Sequence, residues 1–410
     1  MRILIIGDIA DNMILLKKFS KHQIKIFNFP RKQAELLTLS TNGVEFFESL
    51  SILKQVKKIN EIKNEFDICL VLSWASARIA YLAGLNYSMY FLGGDITTPP
   101  FVKNSTNTYL KNPVYKRNFY ERWFYRQVFN TSRFVIAPTD EYYVPLKKYR
   151  DDAIRMDRLF VDNTIFHEDV KPINLKKEKF TFISPQKIGI EKGYDIIWEA
   201  LDLTKSDFQI LQVEWFTERN EEEKIINKQL MQKIPKQIKL IPLIRREDMP
   251  KYYAYSDAIL GQMRAGLQGG IERDAAFCKK PVLCYSPFSK PLIINQEVRI
   301  PPFLPRTRDP KELAILIDKI VESKEFRDDL ANKENEWAKE VYEPSQVVNE
   351  WEKIFDKIQK TYPRISRKQD WKLKIICKIA AILEKYHYKK KMKNKNIEGW
   401  GKDEYNRLMK

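Results

Sequence analysis

Short apolar segments alternate with helix-like segments along most of the chain, and this alternation constrains the fold more than any other feature. In the first half, strand-like runs such as RILIIGD (2–8) and FDICLVLSW (66–74) are separated by segments with helical spacing. The rhythm restarts at FTFISP (180–185) and continues through FQILQVEW and IKLIPLI. Strands that alternate with helices are typical of parallel βαβ units. We therefore expect two doubly wound α/β domains in sequence.

Length and composition agree with a folded protein of two domains. At 410 residues the chain can form two cores, and two domains leave a cleft between them. The four cysteines form no CxxC pair, which predicts buried thiols in a reducing compartment. No apolar run reaches the roughly 18 residues of a membrane-spanning helix, and MRILIIGD is interpreted as a first strand rather than a secretion signal. These features predict a cytoplasmic protein.

A polar segment near 167–178 predicts the domain boundary. We expect a first domain over 1–170, a second over 171–345, a closing amphipathic helix over 346–362 and a basic tail over 363–410. From Arg364 to Lys410 there are 15 Lys or Arg against 5 Asp or Glu, a net +10 within a formal net charge of +18. A basic tail on a nearly ordinary body predicts docking on an anionic surface.

The tail also contains an amphipathic pattern. On a helical wheel, six apolar residues fall within an arc of about 120°. They are Trp371, Ile375, Ile379, Ile382, Leu383 and Tyr386. Lys374, Lys378 and Lys385 lie opposite, Lys372 interrupts the apolar arc, and five lysines follow between 389 and 395. The pattern predicts that 371–395 bind an anionic membrane surface as an in-plane helix. The alternative is a helix packed on the protein body.

Two stretches of the second half predict an anion site. GLQGGIERDAAFCKKPVLCY (266–285) indicates a glycine loop, a short helix from near Ile271 and a strand from Val282. Glycines let a backbone approach an anion, and a helix start presents free N–H groups to it. In SPQKIGIEKGYDIIWEA (184–200), Lys187 and Lys192 flank a strand-to-helix loop. Two ammonium groups there suit a diphosphate, whereas the alternative is a pair of solvated loop lysines.

Three motifs in order resemble the GT-B glycosyltransferases, specifically the large retaining group that uses nucleotide-sugar donors. QKIGIEKG resembles that family's GR…EKG turn, and IKLIPLIRREDMPKYYAYSDAIL resembles its next pattern, with Pro242 where glycine is usual. GLQGGIERDAAFCKKPVLCY resembles its EAmacGkPVv stretch. With looser matches at FLGGDITTPPF and RMDRLFVDNTIF, the resemblance covers roughly residues 1–360. It implies two Rossmann-like domains facing across a cleft, the first on the acceptor side and the second binding the nucleotide sugar.

The resemblance also implies residue roles. Lys187 and Lys192, with the backbone of Gly269 and Gly270, would hold the donor diphosphate. In the family a Glu-x7-Glu pair embraces the donor, the first Glu contacting the transferred sugar and the second the ribose. In this chain the second position falls on Asp274.

The first acidic position falls on Gly266, which has no side chain. Glu272 is the second candidate for the ribose, and it lies about 200° around the helix from Asp274, so only one of the two can face the ribose. The transferred sugar would then be contacted by Gln262, Arg264 and the backbone at Gly266.

For catalysis, enzymes that resemble this chain lack an obvious protein nucleophile and rely on stabilising the leaving diphosphate. Asp95 is the candidate carboxylate on the acceptor side, with a turn-forming Asp as the alternative. No spacing of His, Cys or acids suggests a metal, so we expect neither a metal nor a further cofactor.

The leading hypothesis is a glycosyltransferase that moves a sugar from a UDP- or GDP-linked donor to a lipid-linked or surface-glycan acceptor, peripheral on the inner face of the cell membrane. One alternative is a non-catalytic or sugar-isomerising relative on the same fold, which the glycine at position 266 leaves open. A basic nucleic-acid-binding protein is weaker, because the excess charge lies in the tail and no nucleic-acid motif is present. A nicotinamide enzyme would need GxGxxG after the first strand, where only Gly7 stands.

Overall fold

The computed structural model describes residues 1–29, 43–93, 95–106, 113–116, 118–216, 218, 221–367 and 371–393, with the side chains of 104–106, 113–116 and 385–393 outside the description. The chain forms two compact units. Unit 1 comprises Met1–Asp157 and Val348–Lys410, and unit 2 comprises Arg158–Val347. The first boundary between the units, at Asp157 and Arg158, therefore precedes the polar segment at 167–178. The chain returns to unit 1 after completing unit 2.

Unit 1 contains a parallel sheet of seven strands. They are β1 (Arg2–Ile6), β2 (Gln23–Asn28), β3 (Val44–Phe46), β4 (Ile68–Leu72), β5 (Ser88–Tyr90), β8 (Val135–Ala137) and β9 (Ile154–Arg155). Their spatial order is β3-β2-β1-β4-β5-β8-β9. The central strand is buried along its length, with Ile3 to Ile6 at 0% exposure, as expected where helices cover both faces of a parallel sheet. The segments β6 (Asn104–Thr106) and β7 (Pro113–Lys116) form a separate antiparallel hairpin.

The helices in the first part of unit 1, Met1–Asp157, connect these strands. They are Asn12–Phe19, Ile52–Ile62, Trp74–Leu82, Phe119–Thr131 and Thr139–Lys147, with a 3-10 turn at Lys63–Glu65. The fourth of them begins soon after the hairpin strand that ends at Lys116. The helix starts at Phe119 because Asn118 caps it, accepting a hydrogen bond from the Glu121 amide at 2.8 Å.

The segment after Val347 completes unit 1. The helix Pro344–Thr361 places Trp351 against Tyr90, with ring centroids 5.0 Å apart. A last helix, Trp371–Lys393, packs Leu373, Cys377 and Ala381 into the unit 1 core. The closing helix from Val348 onward and the helix Trp371–Lys393 therefore belong to unit 1, and each buries one apolar stripe there.

Unit 2 contains a parallel sheet of five strands. They are β10 (Thr181–Ser184), β11 (Gln209–Val213), β12 (Ile238–Ile241), β13 (Ala258–Leu260) and β14 (Val282–Leu283). Their order is β12-β11-β10-β13-β14, which repeats the 3-2-1-4-5 order of the first five sheet strands of unit 1. A small hairpin, β15 (Leu292–Ile294) and β16 (Glu297–Arg299), follows. The helices of unit 2 are Tyr194–Leu203, Glu221–Gln232, Met249–Tyr255, Gly270–Phe277, Pro310–Glu322 and Lys324–Tyr342, with a 3-10 turn at Ile190–Lys192.

Both units confirm the expected class of two doubly wound α/β domains. In each sheet the chain runs outward in opposite directions from two neighbouring central strands. Ligands of open α/β sheets bind beyond the carboxyl ends of the strands at such a switch point. In unit 2 the switch point lies between β10 and β13.

Candidate functional site

Two loops meet at the switch point of unit 2. The first follows β10 and runs from Pro185 to Gly193, and the second follows β13 and runs from Gly261 to Gly269. Every residue that the sequence assigns to donor binding lies in these loops or in the short helix Gly270–Phe277 that follows the second loop. The topology therefore collects residues that are far apart in sequence at the edge where a ligand is expected.

The two loops are locked together. The Met263 amide donates to the Lys192 carbonyl at 2.9 Å, and Arg264 Nε donates to the Ile190 carbonyl at 2.6 Å. The Arg264 guanidinium also pairs with Asp195. Arg264, expected at the transferred sugar, is thus placed so that it fixes one loop against the other.

Gly193 is required by this contact. Its φ of +82° lies in the left-handed region, and a Cβ would stand 2.9 Å from Met263 Cβ and 3.0 Å from the Met263 carbonyl carbon. A side chain would therefore be strained by the backbone and would also clash with the second loop. The glycine that the sequence places at the start of the helix Tyr194–Leu203 is what lets the two loops touch.

The two predicted diphosphate lysines are both half-buried and lie on the first loop. Lys192 Nζ donates to Gln262 Oε1 on the second loop at 3.2 Å. Lys187 Nζ lies 4.2 Å from the centroid of the Trp215 ring, which follows β11. Lys192 thus reaches the second loop at the switch point, whereas Lys187 lies over a ring that follows β11, on the other side of β10.

Glu272 joins this cluster from the helix. It is fully buried, and its Oε1 accepts hydrogen bonds from the Gln262 amide at 3.0 Å and from Gln186 Nε2. Among the residues that the structure describes, Glu272 Oε2 has no hydrogen-bond partner. That oxygen lies 2.9 Å from the position of a Cβ on Gly269, so the glycine gives the carboxylate room at the helix start.

Asp274, the first-ranked ribose candidate, lies in a different environment. Its Oδ2 is 2.7 Å from the Arg246 guanidinium, and its side chain is 1% exposed. Burial and the Asp274 charge together raise the pKa of the neighbouring Tyr253 hydroxyl. The two acids therefore contact different partners, as their separation around the helix requires.

Gly266 and the two glycines at the helix start have different structural roles. Gly266 has a φ of +73°, and a Cβ there would stand 2.9 Å from Pro287 Cδ and 3.0 Å from Tyr285 Cε1. An acid at position 266 would be strained and would overlap that ring, so this backbone does not accommodate the family's first Glu. Gly269 precedes the helix and Gly270 begins it, so their amides lie at its N-terminus.

A buried polar network beneath the loops was missed by the sequence reasoning. The Tyr194 hydroxyl lies 3.0 Å from Ser184 Oγ and donates to Gln212 Oε1 at 2.7 Å, and Gln212 Nε2 donates to the Gln186 carbonyl at 3.1 Å. Burial raises the pKa of Tyr194. Two polar residues that end apolar runs, Ser184 and Gln212, were the available signal, because a buried polar group must find a partner. The network supports the loop that carries Lys187.

Asp95 belongs to unit 1 and follows β5. Its side chain is half-buried, and burial raises the pKa of its carboxyl group. Its carbonyl accepts a hydrogen bond from Trp74 Nε1 at 2.9 Å, which fixes the turn to the helix after β4. Asp95 therefore lies near the carboxyl ends of β4 and β5, where unit 1 would bind a ligand.

The described ranges contain neither a cluster of metal-ligating side chains nor a membrane-spanning helix. No group of three or more His, Cys, Asp or Glu side chains there could hold a metal ion. No helix in those ranges is long and apolar enough to cross a bilayer.

Comparison with known proteins gives a family match within unit 2. Residues 166–337 match the family described as "Glycosyl transferases group 1". No curated protein matches the chain by sequence.

Solved structures with a similar fold cover nearly the whole chain. Anabaena HepE in complex with UDP and glucose superposes with a TM-score of 0.64 at 16% identity, covering 87% of this chain and 100% of HepE. A Rickettsia africae glycosyltransferase superposes with a TM-score of 0.61 at 18% identity, covering 88% of this chain and 98% of the glycosyltransferase. The Thermosynechococcus elongatus sucrose-phosphate synthase superposes with a TM-score of 0.63 at 12% identity, covering 88% of this chain and 100% of the synthase. The chain thus has the two-domain α/β fold of the GT-B glycosyltransferases, and most of its unit 2 matches glycosyl transferases group 1.

Proposed function

We propose that the protein is a glycosyltransferase that moves a sugar from a UDP-linked donor to a lipid-linked or surface-glycan acceptor. The observation that carries the proposal is the hydrogen bond from Lys192 to Gln262, which joins the loop that also holds Lys187 to the loop that leads into the helix Gly270–Phe277. The family match over 166–337 and the UDP in the HepE complexes support a nucleotide-sugar donor.

In this proposal the lysines and the helix start bind the donor diphosphate. Two ammonium groups and the amides at Gly269 and Gly270 supply positive charge and hydrogen-bond donors to one anion. The same groups stabilise the negative charge that grows on the diphosphate as the sugar leaves, which lowers the barrier without a protein nucleophile. This role suits transfer with retention of configuration at the sugar, which we also propose.

We assign the ribose to Glu272, with Asp274 as the alternative. Glu272 Oε2 is a buried acceptor beside Gly269, whereas Asp274 is engaged with Arg246. The transferred sugar would meet Gln262 and the backbone at Gly266, while Arg264 positions the loops.

On the acceptor side we propose Asp95 as the carboxylate that contacts the accepting hydroxyl. The tail helix supports a membrane-bound acceptor, because the apolar arc expected from the sequence is exposed. Trp371, Ile379 and Ile382 are 65%, 50% and 66% exposed, while the opposite stripe packs on the body. Lys374 and Lys378 were expected opposite the arc, but Leu373, Cys377 and Ala381 occupy that side and the two exposed lysines lie beside the arc. Exposed lysines beside an exposed apolar arc favour an anionic membrane surface. The lysines between 389 and 395 lie outside the described side chains.

The proposal is tested by titrating UDP into the full-length protein and its variants. We expect Lys187→Ala and Lys192→Ala each to weaken UDP binding by roughly ten- to a hundredfold, the effect of losing a charged hydrogen bond. The exposed Lys233 of the same unit provides the control, and Lys233→Ala should bind UDP like the parent. Unchanged UDP affinity in both loop variants, or no UDP binding by the parent protein, would refute the proposed donor site.

A further inference from the structure

Three aromatic side chains at the start of the helix Phe119–Thr131 face the solvent. Phe119, Tyr120 and Trp123 are 67%, 73% and 45% exposed, and we call them the aromatic patch. The Phe119 and Tyr120 rings lie edge to face with their centroids 5.9 Å apart, and Trp123 stands one helical turn further on. Phe129 of the same helix is buried in the unit 1 core. The helix therefore packs through one face and leaves a cluster of large rings on another.

The helix that carries the patch is basic. It contains two arginines, Arg122 and Arg126, of which Arg126 is exposed, and a single acid, Glu121. The Glu121 carboxylate accepts from the Asn118 amide at 3.4 Å and so takes part in the cap of the helix. The exposed rings therefore lie on a helix with a net positive charge.

Tyr81 joins this helix to the tail. Its ring centroid lies 5.9 Å from that of Phe124, the residue after the patch. The Arg367 guanidinium lies 5.3 Å from the centroid of the same Tyr81 ring and donates to the Tyr81 carbonyl at 2.9 Å. Arg367 precedes Trp371, the first residue of the tail helix, by four positions. Tyr81 thus contacts both the helix that carries the patch and the segment that leads into the exposed arc of the tail helix.

Exposed rings and arginines together suit the surface of an anionic bilayer. Trp and Tyr are enriched where acyl chains meet head groups, because their rings are apolar and their polar atoms reach water. Arginine forms paired hydrogen bonds with phosphate groups. The tail helix exposes apolar side chains with lysines beside them, which is a combination of the same kind. Both surfaces therefore fit one partner, a bilayer with anionic head groups.

We propose that the aromatic patch is a second membrane contact of this protein, which enters the head-group region of an anionic bilayer together with the exposed arc of the tail helix. This inference rests on the membrane-bound acceptor of the proposed function. Two separate contacts fix the orientation of unit 1 on the bilayer, which one helix lying in the membrane plane does not. The second contact also makes a weak, reversible attachment stable, because it acts at the high local concentration that the first one provides.

The test measures sedimentation of the full-length protein with vesicles of phosphatidylcholine and phosphatidylglycerol. We expect the double variant Phe119→Ser and Tyr120→Ser to bind these vesicles about tenfold more weakly than the parent or worse, because burying an aromatic side chain contributes at least that much. Both side chains are exposed, so the variant should keep the parent's unfolding temperature and UDP affinity. Phe288 of unit 2 is 66% exposed and provides the matched control, and Phe288→Ser should bind the vesicles like the parent.

A second measurement follows the environment of position 120. The four natural cysteines are buried, so Tyr120→Cys can be labelled selectively with a polarity-sensitive fluorophore. The emission of the label should shift to the blue when the anionic vesicles are added. An unchanged emission would overturn the inference. A shift that follows protein concentration without vesicles would overturn it in favour of contact between two copies of the chain.

The outcomes separate this inference from the proposed function. If the parent binds vesicles and the double variant binds them equally well, the inference fails and the tail contact stands. If the parent ignores anionic vesicles, the inference and the membrane-bound acceptor fail together. If UDP does not bind while the double variant loses vesicle binding, the proposed donor site fails and the membrane contact stands.

Discussion

Glu272 and Asp274 show how two acids on one short helix acquire different roles from their partners. We predict that Glu272→Gln weakens UDP binding about tenfold or more, since it removes the charge proposed to bind the ribose. Asp274→Asn should instead lower the unfolding temperature, because it removes the buried negative charge that lies 2.7 Å from the Arg246 guanidinium. Titration calorimetry and thermal melts of both variants check this. A weaker UDP affinity in Asp274→Asn than in Glu272→Gln would make Asp274 the ribose ligand.

Sequence reasoning could go only part of the way at this pair. The resemblance placed Asp274 at the second acidic position and left Glu272 as the second candidate, and helical geometry showed that the two cannot face the same ligand. Which of them lies at the switch point depends on Gln186 and Arg246, which no local spacing connects to the helix. The Glu272 environment is formed by three separate segments of the fold.

The buried carboxyl group of Glu334 should make the stability of the protein depend on pH. It is fully buried, its Oε2 accepts from the Val282 amide at 2.8 Å, and burial raises its pKa well above the usual range. The folded state therefore holds the Glu334 proton more tightly, so the contribution of this group to stability is fully present below the unfolded pKa near 4.5 and is lost as pH rises towards the folded pKa.

Glu334→Gln removes this loss. We expect the free energy of unfolding of the variant to exceed that of the parent by an amount that grows by up to about 1.4 kcal/mol per pH unit between the two pKa values. Urea unfolding from pH 4 to pH 8 measures the difference. Glu336→Gln, an exposed change on the same helix, should give no pH-dependent gain. Parallel stability curves for the parent and Glu334→Gln would contradict the prediction.

At the scale of elements, the tail helix has two apolar faces. The sequence wheel found the exposed arc and offered packing on the body as an alternative to membrane binding. In the structure the helix packs through another stripe, Leu373, Cys377 and Ala381, and Glu384 accepts from the Ile52 amide at 2.9 Å. Cys and Ala add little to a hydrophobic pattern, so the wheel gave this stripe little weight. Packing on the body and an exposed apolar arc occur in the same helix.

This division of faces gives a sharp test of membrane binding. The double variant Ile379→Ser and Ile382→Ser should lose sedimentation with anionic liposomes while keeping the parent's unfolding temperature, because both side chains are exposed. Ile315 on the helix Pro310–Glu322 is 66% exposed, as is Ile382, so Ile315→Ser is the matched control and should still sediment. Equal sedimentation of the double variant and the parent would rule out the arc as the docking surface.

At the scale of the whole molecule, unit 2 is a continuous insertion in unit 1. Its two ends are tied together, since Arg158 Nη1 donates to the Val341 carbonyl at 3.0 Å and Asn163 donates to Glu343 at 2.6 Å. It has its own core around Phe182, Ile197 and Leu260. We predict that residues 158–347 alone fold cooperatively and bind UDP within a few-fold of the full chain. Circular dichroism melts and UDP titration check this, and a fragment that melts without a transition would contradict it.

The βαβ rhythm predicted two such units correctly, because alternation of strands and helices is a local property. The return of the chain to unit 1 was not predicted, because it depends on contacts between residues at opposite ends of the sequence. Trp351 is an example. Its helix was predicted from the spacing of apolar residues, but its contact with Tyr90 could not be predicted from any local pattern.

That return has a consequence for how the protein is made. On the ribosome the first part of unit 1 emerges without the helices that cover Tyr90 and complete its core, and unit 2 must be synthesised before they follow. At about 5–20 residues per second this takes roughly ten to forty seconds, long enough for the shorter, continuous unit 2 to fold first. The nascent chain therefore carries uncovered apolar surface for most of its synthesis, and its yield in a cell depends on elongation rate and chaperone supply as well as on the stability of the finished fold.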